Sequence, residues 1–205
     1  MPEFKVHELW PTPIYENSID VRYEWLEKVK NIDYENMQTE NGIISKNRYI
    51  LDEIPDLKKE ILDHCKKFTK LYMYATDKVD FYLQNSWIVK HKKDHWGQIH
   101  YHGNSILSGV YYLKTPPNSG NINFHKNCLH MNIFPPSIRM EYDTVNYFNV
   151  DQYTLIPKEG KIVLFPSHLQ HSVDINKSDI DRYSCAFNFY LKGRLGKQEY
   201  ILEIK

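Results

Sequence analysis

The sequence predicts a mainly β protein in which two amino-terminal helices back an antiparallel sheet pair or barrel. Three observations carry that prediction. Apolar residues recur at helical spacing only up to about Asp77; from Phe81 to Leu191 the period changes to the two-residue alternation of half-buried strands; and the helices precede the strands instead of alternating with them, which argues against βαβ units. At 205 residues the chain is long enough for one decorated β domain and short for two. We therefore expect a single domain over 1–205, with helical support at about 20–76 and a β core at about 78–195.

Taken in order, Leu9-Trp10-Pro11-Thr12-Pro13-Ile14-Tyr15 is apolar but twice interrupted by proline, so it fits only an edge strand or an extended arm. From Asp20 to Ile32, Val21, Trp25, Leu26 and Val29 share one helical face behind Asp20 as a candidate cap. Pro55 occupies the place of a first-turn proline for a second helix reaching about Tyr74. Its stripe of Leu57, Ile61, Leu62, Cys65 and Phe68 lies opposite Lys58, Lys59, Lys66 and Lys67. Strands are expected at Phe81–His91, Gly97–His102, Ile106–Lys114, Asn121–His125, Thr144–Phe148, Lys161–Phe165 and Arg182–Leu191. Turn-formers divide them, among them Pro116-Pro117-Asn118-Ser119-Gly120, Pro135-Pro136 and Glu159-Gly160. Lys126 to Tyr142 is the least regular stretch and reads as a lid or substrate loop.

Charge and cysteine usage narrow the classes of function. Lys plus Arg equals Asp plus Glu at 26 each, so no basic field favours nucleic acid. Cys65, Cys128 and Cys185 are too few and too scattered for a disulfide framework or a Cys-x-x-Cys zinc site, and read as reduced thiols. The amino terminus lacks a signal-like basic then apolar region, and no run approaches the roughly 18 apolar residues of a membrane span. A cytoplasmic protein is expected. Sixteen Tyr and four Trp favour β structure and aromatic-lined pockets.

The residues that suggest chemistry lie at three places. In an extended strand Gln98, His100 and His102 project to one side and Ile99 and Tyr101 to the other, so two imidazoles lie side by side where they can hold one divalent ion. A solvated strand face carries such a pair as well, and both readings stand at this level. His171 follows the apolar strand Lys161–Phe165 and Pro166, where the chain leaves the core. His168 competes with it but falls in the turn. Arg182 to Leu191 alternates, with Arg182, Ser184, Ala186 and Asn188 on one face and Tyr183, Cys185, Phe187, Phe189 and Leu191 on the other. A planar guanidinium beside Ser184 suits bidentate recognition of a carboxylate, to which Tyr112 can add a hydroxyl. His91 and His95 are expected on the exposed side.

At these residues the chain resembles the 2-oxoglutarate and Fe(II)-dependent oxygenase superfamily, especially its prolyl-hydroxylase-like branch and the small oxygenase-like proteins of marine bacteria and their phages. The matching pieces are Leu9 to Tyr15, His100-Tyr101-His102-Gly103-Asn104-Ser105, Leu107 to Leu113, Ser119-Gly120 with Phe124, Gly160 to Ser167 with His171, and Arg182-Tyr183-Ser184 with Phe187-Asn188. The resemblance implies a double-stranded β-helix, a jelly-roll or cupin-like barrel, with Fe(II), 2-oxoglutarate and O2 as cofactor and co-substrates. His100 and His171 would be iron ligands, and Arg182, Ser184 and Tyr112 would bind the distal carboxylate of 2-oxoglutarate. One departure stands out: the family pattern places Asp or Glu two residues after the first His, completing a two-His, one-carboxylate triad, whereas this chain has His102.

The function expected from this resemblance is a non-haem dioxygenase that hydroxylates a C–H bond of an undefined substrate. A three-His, cupin-type dioxygenase without a 2-oxo acid and a non-catalytic barrel stapled by a metal are the alternatives. Expected partners are a small-molecule or peptidyl substrate, with a homodimer allowed and neither nucleic acid nor a membrane expected; for a phage protein the compartment would be the host cytoplasm. Metal occupancy is expected to fall below about pH 6, as the imidazoles protonate.

Overall fold

The structure, a computed structural model, describes residues 11–38, 41–126, 140–146 and 149–205. Among the described residues, twelve strands form two antiparallel sheets. They are β1 (Tyr15–Ser18), β2 (Tyr34–Asn36), β3 (Ile43–Ser45), β4 (Val79–His91), β5 (Gly97–His100), β6 (Leu107–Lys114), β7 (Ile122–His125), β8 (Gln152–Leu155), β9 (Lys161–Pro166), β10 (His171–Val173), β11 (Arg182–Leu195) and β12 (Leu202–Ile204). The larger sheet runs β1-β9-β6-β11-β4-β3-β2 with β12 paired to β11, and the smaller runs β5-β10-β7-β8. Every pairing between these strands is antiparallel.

The two faces of the larger sheet bury different things. On its outer face Tyr183, Cys185, Phe187 and Phe189 of β11, with Ile88, Tyr111, Ile162 and Leu164, form one core with Trp25 and Val29 of α1 (Tyr23–Lys30) and Leu57, Ile61 and Cys65 of α2 (Pro55–Lys66). Trp25 meets Tyr111 edge-on at 6.3 Å, and the Tyr111 hydroxyl donates to the Ile19 carbonyl. On the inner face Tyr112, Val163 and Phe165 pack against Ile122, Phe124 and Leu155 of the smaller sheet. The two sheets therefore face each other as an open barrel, with the helices outside. Alternation along a strand makes this possible, since successive side chains serve opposite faces.

Most elements fall where the periodicity puts them. The second helix starts at Pro55 and continues past Lys66 as a π-helical stretch, Lys67–Tyr72. The first begins three residues after Asp20, with Arg22 at the cap position and no side-chain cap bond; the turn is held by backbone bonds from Trp25 and Leu26 to the Arg22 carbonyl. The prolines displace the first strand to Tyr15, where pairing with β9 begins. Residues 144–146 lie outside any strand, and that part of the smaller sheet is made instead by β8, whose exposed Gln152, Tyr153 and Thr154 hide the alternation. β2, β3, β10 and β12 are three-residue strands, too short for a periodicity to register. The predicted lid over 126–142 lies largely outside the described residues, as do Leu9, Trp10, Cys128 and Tyr147.

Gly109 marks the tightest packing between β6 and the outer core. A Cβ built there would lie 2.7 Å from Leu164 Cδ2 and 2.7 Å from Phe187 Cζ, closer than packed carbons approach, and both neighbours are fully buried. Gly109→Ala should therefore destabilise the fold by about 1–3 kcal/mol, the usual cost of overpacking, read as a lower urea midpoint at unchanged slope. An unchanged midpoint would show that the core can yield there.

Candidate metal centre

β5 and β10 bring the first two imidazoles together. His171 is the direct cross-strand partner of His100, and their ring centroids are 4.3 Å apart. β5 ends at His100, two residues before the predicted strand end, so His102 sits just beyond it; its backbone N–H donates to the Ser167 carbonyl at 3.0 Å. That bond ties His102 to the end of β9, and its ring lies parallel to His100 at 5.4 Å and 5.1 Å from His171. One ligand atom from each of the three rings lies within 4.8 Å of the others. His168 is exposed in the turn, whereas His171 is buried.

Hydrogen bonds decide which nitrogen each ring offers. His100 Nδ1 is 2.8 Å from the Gln98 carbonyl, His171 Nδ1 is 3.0 Å from the Leu169 carbonyl, and His102 Nδ1 is 2.6 Å from Asn188 Oδ1. Carbonyl oxygens only accept, so each ring carries its proton on Nδ1 and presents the Nε2 lone pair. That is how protein surroundings orient histidines for a metal. Asn188 is fixed in turn: its Oδ1 also accepts from Ser108 Oγ at 2.7 Å, and its Nδ2 donates to Asn85 Oδ1 at 2.9 Å. Ser108 has one proton and gives it to Asn188, so Ser167 donates to Ser108 across their 2.8 Å contact.

Three neutral imidazoles converging through Nε2 suit Fe, Zn, Ni or Cu, and among the described residues the cluster includes no carboxylate. Phe165 packs 4.8 Å from the His171 ring and 5.1 Å from Phe124, forming an apolar wall. Burial, above all, lowers the His171 pKa to about 3 and the His102 pKa to about 4; His100 pushes both further down, and the Asn188 bond partly offsets this at His102.

The same narrow pocket, about 100 Å3, is lined by these histidines and by Tyr112, Arg182 and Ser184. Asn188 and Arg182 are six residues apart on β11, about 20 Å at ~3.3 Å per residue, so the imidazole cluster and the guanidinium mark opposite ends of it. Arg182 is 2% exposed. Its Nη1 donates to the Ser119 and Gly120 carbonyls at 3.2 Å each, while Nε is buried without a partner. Tyr112 turns its ring toward the guanidinium at 5.9 Å, a cation–π contact. Ser184 and Tyr112 are direct neighbours across β11 and β6. Asp174 favours the charge of Arg182 from a distance, but no carboxylate among the described residues forms an ion pair with it; a buried guanidinium left so is costly, and this end fits an anionic group. A wider cleft of about 910 Å3 borders Trp96, Ile99, Pro116 and Ile156, but it contains none of the imidazoles, and the smaller pocket is where the chemistry-bearing groups meet.

The sequence reading missed two residues here. Asn188 is on the expected polar face of β11, and its pairing with His102 depends on a contact 86 positions apart. His91, expected on the surface, is 1% exposed and lines the pocket. β4 continues to His91, and β3 covers this end of it, pairing Ile43 with Lys90.

A family model described as "Putative 2OG-Fe(II) oxygenase" matches residues 85–188, the span that contains His91, His100, His102, Tyr112, His171, Arg182, Ser184 and Asn188. No curated protein matches the chain in sequence. Solved structures match its fold over most of both chains. HygX from Streptomyces hygroscopicus, crystallised with nickel, 2-oxoglutarate and hygromycin B, is 11% identical over 87% of this chain and 83% of its own, with a TM-score of 0.59. A Pseudomonas putida prolyl-4-hydroxylase is 13% identical over 87% and 92%, with a TM-score of 0.55. The alpha-ketoglutarate-dependent epimerase SnoN from nogalamycin biosynthesis is 11% identical over 92% and 84%, with a TM-score of 0.63. The architecture is the double-stranded β-helix that these proteins share.

Two outcomes follow from the geometry. Because the folded pKa values of His102 and His171 lie below the ordinary 6.5, the unfolded chain binds more protons as pH falls below 6.5. The metal-free protein should therefore be most stable above that value and lose stability steadily toward pH 3–4. Imidazole NMR should show both rings neutral at pH 5, so that loss of these ligands sets in nearer pH 4 than pH 6; midpoints near 6.5 would contradict their burial. Separately, Asn188→Ala should weaken metal affinity by about 10–100-fold, as removal of a ligand-orienting partner does, measured by competition with a chromophoric chelator.

Proposed function

The chain belongs to the 2OG-Fe(II) oxygenase family, whose model covers residues 85–188, and from that premise we propose that it is an Fe(II)- and 2-oxoglutarate-dependent dioxygenase that hydroxylates a C–H bond. His100, His102 and His171 would hold the metal, and Arg182, Ser184 and Tyr112 the distal carboxylate of the co-substrate. The observation that carries this reading is a single pocket with three oriented imidazoles at one end and, at the other, a buried guanidinium whose Nε has no hydrogen-bond partner among the described residues. Bound Fe(II), with 2-oxoglutarate and O2, supplies an oxidative decarboxylation that yields succinate and CO2 and delivers one oxygen atom to the substrate.

The chain's own residues bind, orient and exclude water. The Nδ1–H bonds to Gln98, Leu169 and Asn188 fix the ring planes before any ligand arrives, so little reorganisation is needed on binding. Arg182 supplies charge and direction to the far carboxylate, which makes the 2-oxo group extend toward the imidazoles. Phe165 and Phe124 keep the wall beside His171 apolar, which strengthens electrostatic contacts inside. Three neutral ligands leave the two charges of the metal uncompensated, and the two negative charges of a dicarboxylate co-substrate would offset two of the three positive charges that the metal and Arg182 bring to the pocket.

His102, standing where the family pattern has a carboxylate, favours a second reading: a three-His dioxygenase that needs no 2-oxo acid. Calorimetric titration of 2-oxoglutarate into the anaerobic Fe(II) protein separates the two. Binding should be evident in the wild type and weaker by about 1.5–3 kcal/mol in Arg182→Lys, which keeps the charge and loses the fork, and succinate should form when O2 is admitted. Metal retention with no heat from 2-oxoglutarate would support the second reading, or a purely structural metal if no oxidation occurs.

A further inference from the structure

His91 is the most completely enclosed histidine in the pocket, and both of its ring nitrogens are buried without a hydrogen-bond partner. It is the direct cross-strand neighbour of Arg182 and lines the same 100 Å3 space. On the far side the β2–β3 hairpin closes over the ring: a Cβ at Gly42 would lie 3.2 Å from His91 Nε2 and 2.9 Å from Met37 Sδ. The ring thus has no room to swing out past the hairpin. Burial first, then the charge of Arg182, holds it neutral, with a pKa of about 2. A neutral imidazole carries one N–H and one lone pair, and leaving these buried and unmatched is costly. Two unsatisfied donors, Arg182 Nε and the His91 ring N–H, therefore belong to cross-strand partners that line one pocket. A single carboxylate can accept from both.

We propose that His91 is a second carboxylate-reading residue, donating to the distal carboxylate of the 2-oxo acid beside Arg182 and so selecting dicarboxylic over monocarboxylic co-substrates. The proposal rests on the co-substrate reading above. Nickel-loaded protein, which binds without turnover, would be titrated with 2-oxoglutarate and with 2-oxopentanoate, the same chain without its distal carboxylate. His91→Phe should weaken 2-oxoglutarate about tenfold, the effect of one hydrogen bond to a charged group, and leave 2-oxopentanoate unchanged. His91→Gln, which restores an N–H, should recover most of the loss. A merely structural role would weaken both acids together.

Equal 2-oxoglutarate affinity in wild type and His91→Phe would overturn the role of His91 and leave the co-substrate reading standing. Failure of the wild type to bind 2-oxoglutarate would sink both. If His91→Phe does not fold, the wild type decides: in the zinc-loaded protein the His91 ring N–H proton should move downfield with 2-oxoglutarate and not with 2-oxopentanoate. An unmoved signal in saturating 2-oxoglutarate would refute the proposal.

Discussion

The alternation along β11 is the constraint on which the rest of the molecule depends. This one strand pairs with β4 over twelve registered positions and with β6 over seven, and each of its faces completes a different environment. Tyr183, Cys185, Phe187 and Phe189 close the core under the helices, while Arg182, Ser184 and Ala186 line the pocket and Asn188 holds His102. A slip of one residue would exchange the faces, driving Arg182 into the helical core and Phe187 into the pocket. Stability and site are therefore specified by the same register, and the apolar row that makes the strand central also holds the guanidinium in place.

Around that strand the polar groups that face the pocket are oriented by the protein from behind. The imidazoles are held from behind by a backbone carbonyl at two positions and by the Asn188, Ser108 and Ser167 relay at the third. Burial keeps His102 and His171 neutral, which a metal ligand requires. At the opposite end Arg182 and His91 leave buried nitrogens unmatched. In a folded protein, buried polar groups are nearly always paired. Three of the five unpaired side-chain atoms among the described residues belong to Arg182 and His91, which line one small pocket.

Family membership agrees with that site on the class of chemistry, and the proteins of similar fold named above include a prolyl-4-hydroxylase and an epimerase on one architecture. One scaffold thus supports different outcomes at the substrate. In the proposed reading the co-substrate end is the constant part, built on the rigid centre of the larger sheet. Its recognition would rest on a guanidinium and a neutral imidazole carried by the paired strands β11 and β4.

Period and local chemistry determined the mainly β class of fold, the two helices and six of the strands to within a few residues, and the motifs that carry the family resemblance singled out His100, His102, His171, Arg182, Ser184 and Tyr112 as those to be brought together. These were legible because strand alternation and helical stripes are local properties and because metal-ligating side chains are few in kind. The tertiary structure decided what depends on distant partners. β8 and the three-residue strands exist through pairing and have no periodicity of their own. His91 is buried because β3 and Gly42 cover it, and a lone histidine between polar residues carries no sign of that. The tautomers of the three imidazoles, and with them the nitrogens that face inward, follow from acceptors at Gln98, Leu169 and Asn188. The last of these reaches His102 only because the end of β5, in the smaller sheet, faces β11 of the larger sheet across the barrel.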